Sequence, residues 1–236
     1  MATRPAWAAS APRERTLADH AYEAIHQAIV TGALGPGERL RIEELAANLD
    51  LSFSPLREAL QRLEAVGLVQ IIPHRGARVT ELSLDDLRDI WEARLALETT
   101  AIRRSAAHFS PASATLARGH LSELREADRR KDFAQAWKAH TDFHFSIYGV
   151  SGSPWLLRLI TPLWESSQRY RLRWVPLQAD LPTRDAEHEA ILQACEAQRP
   201  QRAEVRLHNH VARTANQIAN QMGSADLFAL RRESRA

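Results

Sequence analysis

The sequence predicts a mostly α-helical protein in two parts, and two observations carry this prediction. Between Leu40 and Val79, two short amphipathic helical segments precede two β segments that flank a turn. From Leu84 to Met222, apolar residues recur at helical spacing, and no stretch alternates apolar and polar residues as a strand does. We therefore expect a small α/β unit followed by an antiparallel all-α bundle of about six helices.

The first part contains each segment of a winged helix-turn-helix in the correct order. The expected segments are a helix at 16–32, a Gly-Pro-Gly turn at 35–37, a helix at 42–48, a tight turn at 49–52, a helix at 54–66, and a β-hairpin wing at 68–72 and 77–80. Ser52 or Ser54 can cap the second helix of the motif, and Pro55 suits its first turn, where a missing N–H costs nothing. Such a unit can lay this helix in the DNA major groove.

Candidate DNA-binding residues lie on the outer or leading side of that helix. Leu56, Leu60 and Leu63 recur at helical spacing and are expected to face inward. The outward residues are then Ser52, Phe53, Ser54, Arg57 and Gln61. Small hydroxyls and an arginine suit contacts to phosphates and base edges, and Arg75 and Arg78 beside the hairpin turn can meet a phosphate. The alternative is a small subdomain that binds nothing and keeps its arginines in water.

Composition limits the classes of protein to which this chain can belong. The 31 Lys and Arg nearly balance the 29 Asp and Glu, so the DNA prediction depends on where the charges lie and not on their number. A single cysteine, Cys195, excludes an intramolecular disulfide and a cysteine-rich metal site, which favours a reducing cytoplasm. Residues 1–15 lack the apolar core of a signal peptide, and no apolar run is long enough to span a membrane.

The predicted domains follow from these patterns. A flexible N-terminal arm occupies residues 1–15, the DNA-binding unit residues 16–80, the helical domain residues 81–222, and a weakly ordered tail residues 223–236. Ser83 can cap the first helix of the helical domain, with Asp85 and Asp86 in its first turn. The helices expected in this domain lie at about 84–108, 112–130, 132–149, 154–174, 184–198 and 201–221.

Four of the ten histidines have positions that favour a metal site. His140 and His144 are four residues apart and therefore project from one face of a helix. His188 lies about eleven residues before the turn at Arg199-Pro200 and His210 about ten after it, so both stand roughly 15–16 Å from the turn if the two helices are antiparallel. The two can then meet if their faces converge. Imidazoles that converge from three helices can hold a first-row transition metal. The alternative is that each buried histidine hydrogen-bonds a carbonyl group and binds nothing.

Two parts of the sequence resemble a known protein family. The stretch PGERL, then LAANLDLSFSPLREALQRLEAVGLV, then RG, resembles the DNA-binding domain of GntR-family bacterial transcription regulators. The stretches LSLDDLRDIWEARLALETTAIRRSA, FHFSIYGVSGSPWL, EHEAIL and HNHV resemble the helical effector (FCD) domain of the FadR-type branch. The resemblance covers about residues 16–221. It implies a homodimer that binds double-stranded operator DNA, usually as a repressor, and a small carboxylate or sugar-acid effector in the helical domain, with no membrane partner.

The resemblance also implies a metal ligand set. Many members hold a divalent metal, here expected to be zinc or nickel, with three histidines and one Asp or Asn. The three histidines correspond to His144, His188 and His210, and the position of the Asp or Asn is His140 in this chain. That departure keeps a nitrogen donor and removes a negative charge. The pocket then either changes its metal preference or binds its effector without metal.

A second departure lies in the recognition helix. Arg57 matches the helix arginine that contacts DNA in the family, and Gly76 matches the glycine of the wing. Phe53 stands where the family commonly has an arginine. A phenyl ring cannot bond phosphate or guanine as a guanidinium does, but it can touch a thymine methyl group. Operator sequence therefore cannot be transferred from relatives.

Two arginines are candidates for binding the effector. In related proteins the first helix of the helical domain often sends an arginine toward the effector carboxylate, which corresponds to Arg94 here. The alternative is an internal pair with Glu98, one turn away. Arg169 and Arg173 share a helix face and either line the same pocket or lie in water.

Three other functions remain open from the sequence. A metalloenzyme would use the histidines to hold a catalytic ion, but no carboxylate is clearly placed as a general base, and Asp142 faces away from His140 and His144. We therefore expect no enzyme activity. A metal sensor would use the ion itself as the effector. A DNA-architectural protein would use the helical domain only for dimerisation.

Overall fold

The computed structural model describes residues 16–73, 75–175 and 181–233. The predicted arm at residues 1–15, His74 of the wing turn and residues 234–236 of the predicted tail lie outside this part of the chain. The described residues divide into two compact units, with the division between Glu81 and Leu82. No helix in the described ranges combines the length and apolar character needed to cross a membrane.

The first unit has three helices and three short strands among its described residues: α1 (Leu17–Val30), β1 (Arg39–Leu40), α2 (Ile42–Leu49), α3 (Phe53–Ala65), β2 (Val69–Ile72) and β3 (Gly76–Val79). A capping box begins α1, since the Thr16 hydroxyl accepts from the Asp19 N–H and the Asp19 carboxylate accepts from the Thr16 N–H. Arg62 of α3 donates to the same carboxylate at 2.7 Å. The bonds from the Thr16 backbone and from Arg62 lower the pKa of Asp19 to about 2.

The three strands form one antiparallel sheet in the order β1-β3-β2. Strand β3 pairs with β2 from Val69↔Val79 to Ile72↔Gly76, which is the predicted wing hairpin. Strand β1 was not predicted, because a strand of two residues is too short to show an alternating pattern in the sequence. The core beneath the sheet and helices contains the inward-facing residues predicted for α3, together with apolar residues of α1 and the strands: Ile25, Leu40, Leu56, Leu60, Leu63, Leu68 and Val79.

The regular secondary structure in the described part of the second unit consists of helices: α4 (Leu84–Ala106), α5 (Pro111–Arg130), α6 (Phe133–Gly149), α7 (Pro154–Trp174), α8 (Leu181–Glu196) and α9 (Pro200–Gln221). Ser83 caps α4 by accepting from the Asp86 N–H at 3.1 Å, as its sequence position predicts. The core is built around large buried side chains, among them Trp91, Phe143, Tyr148 and Tyr170. Cys195 is fully buried in this core, and burial raises the pKa of its thiol to about 12.

Two segments of this unit differ from expectation. Helix α8 begins at Leu181, before the expected residue 184, because Pro182 lies in its first turn, where proline is tolerated. Residues 224–233 of the predicted weakly ordered tail are held against α9. The Asn216 side chain accepts from the N–H groups of Leu227 and Phe228, at 2.9 and 3.0 Å, and donates to the Phe228 carbonyl oxygen. The expectation of a weakly ordered tail is therefore wrong for residues 224–233. Their sequence has no helical or strand pattern, but polar side chains on α9 bind their backbone.

Candidate functional site

The outward side of α3 presents the predicted DNA-binding residues. Ser52 occupies the N-cap position but makes no side-chain capping bond, so neither serine serves as the predicted cap and both hydroxyls face outward. Phe53 is 45% exposed, and Ser54 and Arg57 are also exposed. Arg57 makes no ion pair with any carboxylate of the described residues. This side of the helix is therefore free to contact a ligand.

The wing places Arg75 and Gly76 at the start of β3. Arg75 is exposed, and its carbonyl oxygen accepts from the Arg39 guanidinium at 3.1 Å. Gly76 has a φ of +86°, a conformation that L side chains rarely adopt, and a Cβ there would lie 3.4 Å from the Leu40 carbonyl oxygen. The hairpin therefore requires glycine at this position because of its backbone conformation, and this explains the match to the glycine of the wing. The exposed Arg78 lies 3.8 Å from Glu81.

In the second unit, the four candidate histidines converge from three helices. His140 and His144 come from α6, His188 from α8 and His210 from α9, and one ring nitrogen of each lies within 4.8 Å of those of the others. All four side chains are buried. The His188 and His210 ring centroids are 4.6 Å apart, which agrees with the equal distances of these residues from the α8–α9 turn. Helical rise accounts for the equal level of the second pair, and the packing of α8 against α9 turns the two faces toward each other.

Hydrogen bonds fix the proton position on His144. The Tyr148 hydroxyl donates to Glu98 Oε2 at 2.7 Å, so its oxygen is left to accept from His144 Nδ1 at 3.3 Å. Glu98 is held in turn by Arg94, whose Nε and Nη2 lie 2.6 and 3.3 Å from its carboxylate oxygens. With the proton on Nδ1, His144 presents the Nε2 lone pair, which lies 3.2 Å from His188 Nε2.

A second carboxylate orients His210 in the same manner. His210 Nδ1 lies 2.7 Å from Glu187 Oε2, and Arg213 bonds the other oxygen of that carboxylate. Burial opposes ionisation of Glu187, but the bonds from His210 and Arg213 prevail and lower its pKa. His210 then donates from Nδ1 and presents Nε2, the arrangement in which carboxylates commonly support metal-binding histidines.

His140 and His188 retain buried nitrogens without a hydrogen-bond partner. These atoms are His140 Nε2 and His188 Nδ1. Burial lowers the pKa values of His140, His144 and His188 well below the usual value for histidine, and neighbouring cations add to the effect. The three rings are therefore neutral at pH 7, which is the state that a metal ligand requires.

These residues fit a divalent transition metal. Four nitrogens around tetrahedral zinc, at about 2.0–2.1 Å from the ion, stand about 3.4 Å apart. The 3.2 Å between the Nε2 atoms of His144 and His188 matches that spacing, and a modest contraction would bring in the other two rings. A buried group of neutral imidazoles with unused lone pairs is chemically suited to zinc, nickel or copper.

The two candidate effector arginines have different positions. Arg94 borders the histidine cavity, but its guanidinium is paired with Glu98 and also donates to Ser167 Oγ at 3.0 Å. Arg169 is not among the residues that line this cavity. It lies 3.9 Å from Asp86, at the start of α4, so its expected place in the pocket is wrong. The α7 arginine at the cavity is Arg171, which points to the other side of that helix.

The cavity itself is small, about 10 Å³, which is room for roughly one water molecule or ion. Its walls are Arg94, His140, His144, Trp164, Arg171, His210, Val211 and Thr214. A larger cavity of about 400 Å³ lies along α5 and α8 and also reaches His188. Two arginines at that cavity are already paired, Arg125 with Asp185 and Arg184 with Asp128. Their positive charges are therefore less available to bind an organic acid.

Comparison with known proteins gives matches to both units. Residues 17–79 match the family described as bacterial regulatory proteins, gntR family, and residues 89–213 match the FCD domain. The chain is 33% identical to the HTH-type transcriptional regulator BphR of Paraburkholderia xenovorans strain LB400, over 84% of this chain and 83% of that protein. It is 33% identical to the HTH-type transcriptional repressor GlaR of Escherichia coli K12, over 65% of this chain and 72% of that protein.

A solved structure of similar fold is that of E. coli McbR/YncC. The two share 25% sequence identity with a TM-score of 0.75, over 88% of this chain and 99% of that chain. A regulator from Rhodococcus sp. RHA1 at 21% identity has a TM-score of 0.71 and shows the same fold.

Proposed function

This chain belongs to the GntR family of bacterial regulatory proteins and carries an FCD domain, and from that premise we propose that it is a homodimeric repressor controlled by a small organic acid. The family assignment confirms the resemblance predicted from the sequence. It also makes the chain a DNA-binding transcription regulator rather than an enzyme, so the metalloenzyme alternative no longer applies. Repression is the role of similar proteins such as GlaR.

The observation that supports operator recognition is the exposed, unpaired side of α3. Arg57 and the hydroxyls of Ser52 and Ser54 project from the end of a helix whose opposite side is buried in the core. In a homodimer, two such helices would read half-sites about one DNA turn apart, or a multiple of one turn. Arg75 of the wing would contact phosphate, and Phe53 would contact a thymine methyl group.

The observation that supports effector control is the buried histidine cluster. A divalent metal there would be held by His140, His144, His188 and His210, and it would supply a Lewis-acidic charge that attracts a carboxylate. Arg94 borders the same cavity. Bound effector would change operator affinity only if it binds one arrangement of the dimer more tightly than the other. Zinc and nickel are the metals we favour, and the site of action is the cytoplasm.

Operator binding is tested by fluorescence anisotropy with DNA from upstream of the chain's own gene. We expect saturable binding that weakens with salt, and Arg57→Ala should weaken it about 5–150-fold, the equivalent of 1–3 kcal/mol. Arg104→Ala, an exposed arginine in the last turn of α4, is the matched control and should bind as the wild type does. Equal affinity of the Arg57 and Arg104 variants would remove Arg57 from the DNA surface. A sedimentation mass of 26.6 kDa for the free protein, at the concentrations at which it binds the DNA, would exclude the dimer.

The metal site is tested by metal analysis of the purified chain. We expect about one zinc or nickel ion per chain, and His188→Ala should lose it because the remaining three imidazoles no longer enclose the ion. His108→Ala, an exposed histidine outside the cluster, should retain the ion. Full retention of metal by the His188 variant would reject this ligand set.

A second candidate function is a metal sensor, in which the ion itself is the effector. The small volume of the histidine cavity favours it, because about 10 Å³ holds an ion but not an organic acid. Chelation that changes operator affinity in the absence of any organic acid would support the sensor. An unchanged affinity after complete removal of the metal would exclude it.

A further inference from the structure

The half-buried Arg171 faces the histidine cluster and has no carboxylate partner among the described residues. Arg171 Nη1 lies 3.4 Å from His140 Nδ1, and the guanidinium carbon lies 4.8 Å from the centre of the Trp137 ring. Arg171 Nε is buried and has no hydrogen-bond partner. Among residues 16–73, 75–175 and 181–233, no carboxylate forms an ion pair with Arg171. Charged groups that are removed from water are normally paired, so the buried end of this half-buried arginine lacks a partner that its environment favours.

The other nearby guanidiniums already have carboxylate partners. Arg94 is paired with Glu98, and Arg184 is paired with Asp128. The arginine side chain stays charged in proteins. Of the two guanidiniums that line the histidine cavity, Arg171 is the one without a carboxylate partner among the described residues.

Arg171 and a metal compete for the same histidine. A guanidinium can only donate, so the contact requires a lone pair on His140 Nδ1 and places the proton on Nε2. If a metal binds at Nδ1, it takes the lone pair that Arg171 uses. If a metal binds at Nε2, the proton moves to Nδ1. The N–H of His140 Nδ1 then faces the N–H of Arg171 Nη1, and neither can accept a hydrogen bond from the other. In both cases His140 can join a metal only when Arg171 gives up the contact.

This competition is sharpened by the residue type at position 140. A carboxylate there, as the family resemblance implies, would balance the guanidinium and a metal together. His140 is neutral, so a divalent ion and Arg171 would repel each other across a few ångströms of buried space. Within residues 16–73, 75–175 and 181–233, no carboxylate supplies the missing negative charge.

We propose that a small organic carboxylate is the counter-ion of Arg171, and that it and the metal bind this cavity cooperatively. The inference rests on the proposed metal site. The carboxylate bonds the guanidinium in a forked geometry, draws it off His140 and releases that ring to the metal. Movement of the Arg171 side chain also enlarges a cavity that is otherwise too small for an acid. Because the coupling is thermodynamic, metal strengthens carboxylate binding by the same factor.

The test measures zinc affinity of the chelator-stripped full-length chain by competition with a chromophoric chelator, with and without succinate. In the wild type we expect succinate to tighten zinc binding about 5–150-fold. Arg171→Met should bind zinc tightly without succinate and should show no further change when succinate is added. Arg171→Lys, which keeps the charge but lacks the fork, should show a reduced effect. Since all variants meet the same succinate, zinc complexation by the acid itself cancels from the comparison.

The matched control is Arg173→Met, an exposed arginine on the same helix whose guanidinium lies over the Trp174 ring, and it should behave as the wild type. Phosphate in place of succinate distinguishes a carboxylate site from a general anion site, and equal coupling with phosphate would overturn the assignment to carboxylate. Zinc binding that is lost in His188→Ala but does not respond to succinate would overturn the inference and leave the metal site standing. No zinc binding by the wild type under either condition would overturn both.

Discussion

Replacing Glu98 with glutamine should destabilise the helical unit by about 3–5 kcal/mol, because the change leaves a buried guanidinium without its counter-charge. The Arg94 and Glu98 side chains are 4% and 0% exposed, and two guanidinium nitrogens bond the carboxylate at 2.6 and 3.3 Å. The Tyr148 hydroxyl adds a third bond at 2.7 Å. A loss of this size corresponds to a fall in melting temperature of roughly 6–20 °C for a unit of this length.

The assay is thermal unfolding of the metal-free chain, followed by circular dichroism. Glu92→Gln is the matched control, because Glu92 lies on the exposed side of the same helix and should change the melting temperature little. The Glu98 substitution also removes the strong acceptor that holds the Tyr148 proton, so His144 Nδ1 loses its defined partner and zinc affinity should fall about 10–100-fold. Equal melting temperatures of the Glu98 and Glu92 variants would refute the argument that Arg94 and Glu98 form a buried, mutually dependent ion pair.

Three further outcomes are expected. Asn216→Ala should release the C-terminal segment from α9, at a cost of about 1–3 kcal/mol, and hydrogen exchange should rise at the amides that it now holds; unchanged protection there would count against the contact. Tyr170→Phe removes hydroxyl bonds to Asp86 at 2.6 Å and to the Ser83 backbone at 3.1 Å, so exchange at the start of α4 should increase, whereas equal exchange would show that Ser83 alone caps the helix. Metal-free protein should lose stability as pH falls below 6.5, because the buried cluster histidines have lowered pKa values and the unfolded chain binds more protons. The slope is about 1.4 kcal/mol per pH unit for each extra proton, and a flat pH profile between 7.5 and roughly 5 would contradict the burial of neutral rings.

Local patterns in the sequence were sufficient for the fold. The helix-turn-helix follows from apolar spacing, a proline in the first turn of α3 and turn residues, all of which act over a few positions. Helical rise is constant, so the equal distances of His188 and His210 from one turn predict that they lie at the same level. Whether their faces converge depends on how the helices pack, and the sequence does not determine it.

The contacts that surround the histidines could not be predicted in the same way. Arg169 was expected in the cavity and Arg171 was not, because the rotation of α7 about its axis depends on packing against other helices. Glu187 precedes His188 in sequence but supports His210 on the next helix, a relation that spacing does not encode. Tyr148 gave a weak signal, since it lies four residues after His144 on the same face of α6.

We propose that the state of the histidine cluster controls the affinity of the helix-turn-helix for its operator. The most direct measurement is the anisotropy titration of upstream DNA with the wild type and with His188→Ala, each with and without zinc and succinate. We expect the wild type to change its DNA affinity by about 5–150-fold when both ligands are added, and the variant to bind DNA but not to respond. Wild-type affinity that is the same in all four conditions would contradict the account.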